Sequence, residues 1–388
     1  MPASSIDQVL KPAADRGDVP GVVAVAASRD GVCYEGAFGR RALPEGAVMT
    51  ADSVFWIASM TKAVTSTAAM QLVEQGRLAL DRPVSDVLPE LANVQVLDGF
   101  DTAGEPRLRA ARRPITLRHL MTHTAGFTYD IWNPDTLRYR ELKGLPDIFS
   151  CTDASLMLPL AFDPGDRWEY GINIDWIGKA IERVSGQRLG DYFAEHVFGP
   201  IGMADTGFKL TPGRRDRLVA MHARGEDDAL APIEFEMVQA PEFEMGGGGL
   251  YGSASDYLAF AGVFLNEGRV AGGRRVLRPE TVQLMGQNAM GALNVRALPA
   301  AAPYSNSAEF FPGMIKKWGL GFMISTEAVP GGRSADSLAW AGLGNTYFWI
   351  DPTRGVAGVI LMQLLPFADA KALALFDAFE KAVYAAVE

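Results

Sequence analysis

The chain has 388 residues, with 36 Lys and Arg against 46 Asp and Glu, for a formal net charge of −10. That balance excludes the basic field that nucleic-acid binding needs. A composition 48% hydrophobic and 21% charged excludes extensive disorder, and the length calls for two to three structural units. Cys33 and Cys151 are the only cysteines, too few for a disulfide framework or a cysteine-rich metal site, and both are expected as buried, reduced thiols. Asp7, Lys11, Asp15 and Arg16 interrupt the N-terminal stretch where a secretory leader would be apolar. No window reaches about 18 uninterrupted apolar residues. The expectation is a cytoplasmic chain with no membrane contact; composition leaves the oligomeric state open.

In chain order, a short helix over 4–16 precedes two β-prone runs, 22–28 and 32–38, joined by the turn Arg29-Asp30-Gly31. A helix over 60–75 follows, stopped by Gly76. From about 78 to 208 helical stretches dominate, at 117–122, 174–184 and 190–198, whereas 210–250 and 291–315 read as loops. Strands are expected at 338–341, 347–350 and 356–364, with 351–355 as a turn, and an amphipathic helix at 368–387. Hairpin-linked strands from both chain ends imply one antiparallel sheet flanked by helices, with a mostly helical domain inserted: an α/β (α+β) fold. The boundaries read as 1–78 with 245–388 for the sheet domain and 79–244 for the insertion.

Chemistry concentrates in residues 54–62. The helix from Met60 is apolar or small nearly all round, and Lys62 is the only ionisable side chain between Asp52 and Glu74. A lysine isolated in this way must find a partner or lose its charge. Ser59 lies three residues earlier, so a helix puts both on one face. At the first turn the Ser59 N–H is unpaired and points outward, free to hold an oxyanion. A serine hydroxyl becomes a nucleophile only when a neighbouring base takes its proton, and a buried lysine can be that base.

Ile115-Thr116-Leu117-Arg118-His119-Leu120-Met121-Thr122-His123-Thr124-Ala125-Gly126 resembles the L-x-x-L-L-x-H-T-S-G signature of serine β-lactamase-like proteins. These comprise class C β-lactamases, D-alanyl-D-alanine carboxypeptidases and family VIII carboxylesterases. Further matches follow in family order: Pro164-Gly165 before Tyr170, Ser185-Gly186, Ile201-Gly202-Met203, Gly247-Gly248-Gly249-Leu250, Trp318-Gly319-Leu320-Gly321 and Trp340-Ala341-Gly342. The resemblance covers nearly the whole chain. It implies Ser59 as nucleophile, Lys62 as its base and Tyr170 as proton exchanger, its phenol acidified by Lys62. The backbone N–H groups of Ser59 and Leu343 are implied as the oxyanion hole, with no cofactor and no metal.

The departures from the lactamase pattern point to a subfamily. Tyr170-Gly171-Ile172 has an apolar residue where lactamases carry asparagine, and Trp340-Ala341-Gly342 lacks the cation and hydroxyl of Lys-Thr-Gly. Without those groups an anionic substrate loses its partners, which suits neutral esters. Trp340 and Gly342 at the third motif, Tyr129 after His-Thr-Ala-Gly and Asp175 five residues beyond Tyr170 are similar to family VIII esterases, and all four are implied at the substrate site. The expected function is hydrolysis of small neutral, short-chain esters through an acyl-enzyme on Ser59. The alternatives are lactam or peptide hydrolysis, acyl transfer from the same intermediate, or a non-catalytic binding module. Gly-x-Ser-x-Gly does not occur. His119 and His123 are four apart but lack the adjacent Glu of zinc peptidases, so packing and loop anchoring is their expected role. The glycine run 246–249 is expected to allow close backbone packing beside the site.

Overall fold

A computed structural model describes residues 3–387. Its centre is a seven-stranded antiparallel sheet. The strands are β1 (Gly21–Ser28), β2 (Gly31–Gly39), β3 (Lys316–Trp318), β4 (Met323–Ser325), β5 (Ser337–Gly342), β6 (Thr346–Asp351) and β7 (Val356–Leu361), in the order β2-β1-β7-β6-β5-β4-β3. The N-terminal hairpin thus joins the C-terminal strands directly, with Val25 opposite Val359.

Both faces of the sheet are covered, so its central strands are apolar on both sides and read as continuous runs rather than alternating ones. On one face lie α1 (Ala3–Asp15) and α6 (Ala370–Val387). Trp349 meets Phe376 and Phe379 there, and its ring crosses the backbone of Gly358, where a Cβ would stand 2.0 Å from the indole. On the other lie α2 (Thr61–Glu74) and α5 (Ala254–Leu265), where Tyr257 packs on Phe348 at 4.9 Å. Phe348 pairs with Trp340 across β6 and β5. Paired residues share a face, so the register alone puts Trp340 on the α2 side.

Helices α3 (Leu117–Met121) and α4 (Asn173–Ser185) belong to the segment between α2 and α5, and α4 packs against α2. Three expectations need correction. The stretch 78–208 is not helical throughout: Gln95–Phe100 and Pro106–Ala110 form a hairpin, closed where the Asp101 carboxylate accepts from the Ala103 and Glu105 N–H groups. The last strand stops at Leu361 rather than 364, because the Gln363 carbonyl accepts from His222 N–H and Leu364–Leu365 pairs in parallel with another strand, His222–Arg224. Cys151 is buried but Cys33 only half-buried, and both are free. Among the described residues no helix is long and apolar enough to cross a membrane.

Candidate active site

Ser59 stands in a tight turn, Ala58–Met60, that runs straight into α2. The residue before it, Ala58, is buried with φ 45°, a left-handed conformation that costs a non-glycine residue energy and is held by its surroundings. Nothing in the sequence announces that strain. Its neighbours supply the grip: Ile57 N–H donates to the Leu250 carbonyl at 3.0 Å, and the Trp56 backbone is clasped on both sides by the Gln363 side-chain amide. Gly342 presses on the same segment, since a Cβ there would lie 2.4 Å from the Ile57 carbonyl oxygen. The end of β5 is thereby fixed beside the nucleophile, and Leu343 lines the same small cavity as Ser59.

Lys62 is 1% exposed. Its Nζ is 3.1 Å from Ser59 Oγ, 2.9 Å from the Tyr129 hydroxyl and 2.6 Å from the Gly247 carbonyl oxygen. Burial depresses its pKa, partly opposed by the charge of Asp175. In the neutral form its two N–H groups satisfy Gly247 and Tyr129, which leaves the lone pair facing the Ser59 hydroxyl. That is the state a general base needs.

The glycine run supplies the acceptors. Thr65 Oγ1 donates to the Gly246 carbonyl at 2.7 Å, Lys62 to that of Gly247, and Trp56 Nε1 to that of Gly248 at 2.7 Å. A Cβ at Gly247 would lie 2.5 Å from Asp175 Oδ2, so the close approach anticipated for this run has a specific neighbour.

Tyr170 lies with its ring 4.6 Å from Lys62 Nζ, and Trp340 Nε1 donates to its hydroxyl at 2.8 Å. Gly171 allows this segment to lie on Phe127 and Thr128, where a Cβ would be 2.3 Å from the Phe127 carbonyl oxygen, and Tyr129 N–H donates to the Tyr170 carbonyl at 3.2 Å. An acidified phenol is not what the site provides. Burial pushes the Tyr170 pKa up, the Ser59 and Trp340 hydrogen-bonding groups offset this only in part, and Asp175 adds to the rise. Burial therefore favours the neutral Tyr170 hydroxyl over the phenolate.

Two further residues stand elsewhere than the sequence implied. Asp175, at the start of α4, is fully buried and does not line the cavity at Ser59; its Oδ1 accepts from Gly247 N–H at 2.7 Å. Burial raises its pKa, while the Lys62 charge, the Gly247 N–H and the Tyr129 hydroxyl favour the carboxylate. Its charge in turn opposes the depression of the Lys62 pKa. Trp340 reaches Tyr170 instead of forming a wall of the cavity at Ser59, whose sides are Trp56, Tyr129, Ile131, Trp132 and Phe149. His123 is buried behind Tyr170, ring centroids 4.7 Å apart, and its Nδ1 is 3.1 Å from Asn173 Nδ2. His119 caps α3 through Thr116. Both histidines are thus engaged in the scaffold. A cavity of about 1220 Å³ beside the end of α5 holds none of these residues.

A serine and lysine on one helical turn, a tyrosine from the segment between α2 and α5 and a β5 end across the cavity define a β-lactamase-fold site. The Beta-lactamase family profile matches residues 6–380, and the chain belongs to that family. Monacolin J acid methylbutanoyltransferase of Aspergillus terreus is 32% identical over 402 residues, spanning 99% of this chain and 96% of that protein. Lovastatin esterase of Penicillium rubens is 31% identical, spanning 98% of each. The structure of simvastatin synthase (LovD) from Aspergillus terreus, LovD6 mutant, matches with a TM-score of 0.86 at 30% identity, over 99% of this chain and 97% of that one. The chain is a serine β-lactamase-fold hydrolase or acyltransferase.

Proposed function

We propose that the chain is a carboxylesterase: it forms an acyl-enzyme on Ser59 from esters with small, neutral acyl groups and passes the acyl group to water. The observation that carries this reading is the buried Lys62, 3.1 Å from Ser59 Oγ, in a site whose third-motif position holds Trp340 in place of a cation. Ser59 Oγ forms a bond to the ester carbonyl carbon while its proton passes to Lys62 Nζ. The tetrahedral oxyanion sits between the Ser59 and Leu343 N–H groups. On collapse the carbon–oxygen bond to the alcohol breaks, and that oxygen takes the proton from Lys62 by way of the Tyr170 hydroxyl. Water then repeats the sequence on the acyl-enzyme and restores Ser59. The cavity at Ser59 is narrow and lined mainly by apolar and aromatic side chains, which supports short acyl chains without charge.

Acyl transfer to an alcohol is a second reading, favoured by the methylbutanoyltransferase among the relatives, and it uses the same intermediate. Ser59→Ala is expected to abolish turnover of p-nitrophenyl acetate and butyrate; appreciable residual rate would sink the assignment. Product analysis with added alcohols separates the two readings, since a transferase yields a new ester faster than free acid. Equal efficiency on a cephalosporin would instead favour a lactam hydrolase.

A further inference from the structure

A second cavity, of about 360 Å³, adjoins the site and is lined by Thr128, Trp132, Asn133, Trp168, Tyr170 and Arg296 among others. Trp132 lines both this cavity and the one at Ser59. Its indole is held in place, with Nε1 donating to Ser305 Oγ at 3.0 Å. Ser59 belongs to the first cavity and Tyr170 to the second. An ester at this centre has two ends with different needs: the acyl carbon must reach Ser59 Oγ, and the departing oxygen must reach a proton donor. The first cavity suits the acyl end; the second, which shares Trp132 with it and has Tyr170 in its lining, is left for the alcohol end.

Arg296 gives the second cavity a chemical character. It is exposed and makes no ion pair or hydrogen bond among the described residues. Its backbone is nevertheless anchored on both sides. Val295 N–H donates to the Lys316 carbonyl at 2.9 Å, Leu298 and Ala308 exchange hydrogen bonds at 2.8 and 2.9 Å, and Ala301 N–H donates to the Ile131 carbonyl at 2.8 Å, next to Trp132. The one acid lining the cavity, Glu169, is engaged elsewhere, by Arg167 Nε at 2.7 Å and Asn133 Nδ2 at 2.9 Å. A guanidinium without a carboxylate of its own, carried on an anchored backbone beside a cavity large enough for a ring, is suited to a planar anion from outside.

We infer that this cavity is the alcohol subsite, partitioned from the acyl slot by Trp132, and that Arg296 at its rim selects alcohols that bear a carboxylate. The inference rests on the ester reading above and narrows it: neutrality applies to the acyl side, while charge is read on the alcohol side. Recognition has moved from the third motif, where Trp340 stands, to a loop on another part of the chain.

The test compares 4-acetoxybenzoate with its methyl ester, two substrates that differ only in the charge on the alcohol side. Arg296→Gln should raise KM for 4-acetoxybenzoate about five-fold, the upper range for an exposed ion pair. It should leave kcat and the methyl ester unchanged, and the difference should shrink at ~0.5 M salt. Calorimetric titration with 4-hydroxybenzoate reads the same subsite without turnover, and the variant should bind it more weakly by the same factor. Equal effects on both esters, or unchanged 4-hydroxybenzoate affinity, overturn the inference. Phenyl acetate cleavage that survives Ser59→Ala would overturn the ester reading instead, and the titration would still report on Arg296.

Discussion

At the scale of single residues, the site turns on how much charge Lys62 retains. Burial depresses its pKa and the Asp175 carboxylate works against that depression. Lys62 must be neutral to accept the Ser59 proton, so kcat/KM should rise with pH as the amine deprotonates and be lost as pH falls through that point. Removing the carboxylate in Asp175→Asn takes away a group that favours the ammonium form. The acid limb of the kcat/KM profile for p-nitrophenyl butyrate should therefore move to lower pH, which a rate–pH series would reveal; a shift to higher pH would contradict the role given to Asp175. Trp340→Phe keeps an aromatic side chain, though a smaller one, and deletes the N–H that donates to Tyr170 at 2.8 Å. A proton relay left without its fixed orientation should cost about ten-fold in kcat with little change in KM, against 10²–10⁴-fold for a complete general acid–base group. Ser59, Lys62 and Tyr170 could be singled out in the sequence because their chemistry depends on residue type and on motif order along the chain. The inward role of Asp175 and the strain at Ala58 could not, because both depend on which residues surround them in the folded chain.

At the scale of elements, the end of β5 is pressed against the turn that carries Ser59, which is where the proposed oxyanion position lies. Gly342 makes the contact possible, because a methyl group added there would stand only 2.4 Å from the Ile57 carbonyl oxygen and 2.3 Å from Thr346 Oγ1. Gly342→Ala must push β5 away from that turn and take the Leu343 N–H with it. Loss of one such donor lowers kcat by roughly 10²–10³-fold, and a displacement should produce a decrease of at least ten-fold, measured on p-nitrophenyl acetate with folding checked by circular dichroism. Five of the seven strands of the sheet were legible in their apolar runs and turn residues; β3 and β4, three residues each, are too short to show such a pattern. The ending of β7 at Leu361 was not, because the run 356–365 stays apolar apart from Gln363 and only the pairing with His222–Arg224 divides it. The hairpin at 95–110 was hidden in the same way: its strands are short, polar at several positions and bulged between Leu97 and Phe100.

At the scale of the whole molecule, α6 is tied to the sheet's approaches by a buried ion pair. Arg333 is 1% exposed, and its guanidinium and backbone N–H both donate to the Glu380 carboxylate, with Phe311, Trp349 and Phe376 around it. Removing one partner of such a pair leaves an uncompensated buried charge, at a cost of about 3–5 kcal/mol. Glu380→Ala should lower the unfolding free energy by that amount in a urea titration, while the Michaelis constants of the folded fraction stay as they were. The pairing of β1 with β7 has a consequence in time as well as in space. Synthesis delivers β1 and Ser59 early, whereas Leu343, β7 and the Gln363 clasp on Trp56 emerge about 300 residues later. A nascent chain therefore exposes one unpaired edge of its N-terminal hairpin throughout translation, a surface prone to intermolecular pairing. In the proposed mechanism Ser59 also lacks its second oxyanion donor until the end of β5 has been made and has docked.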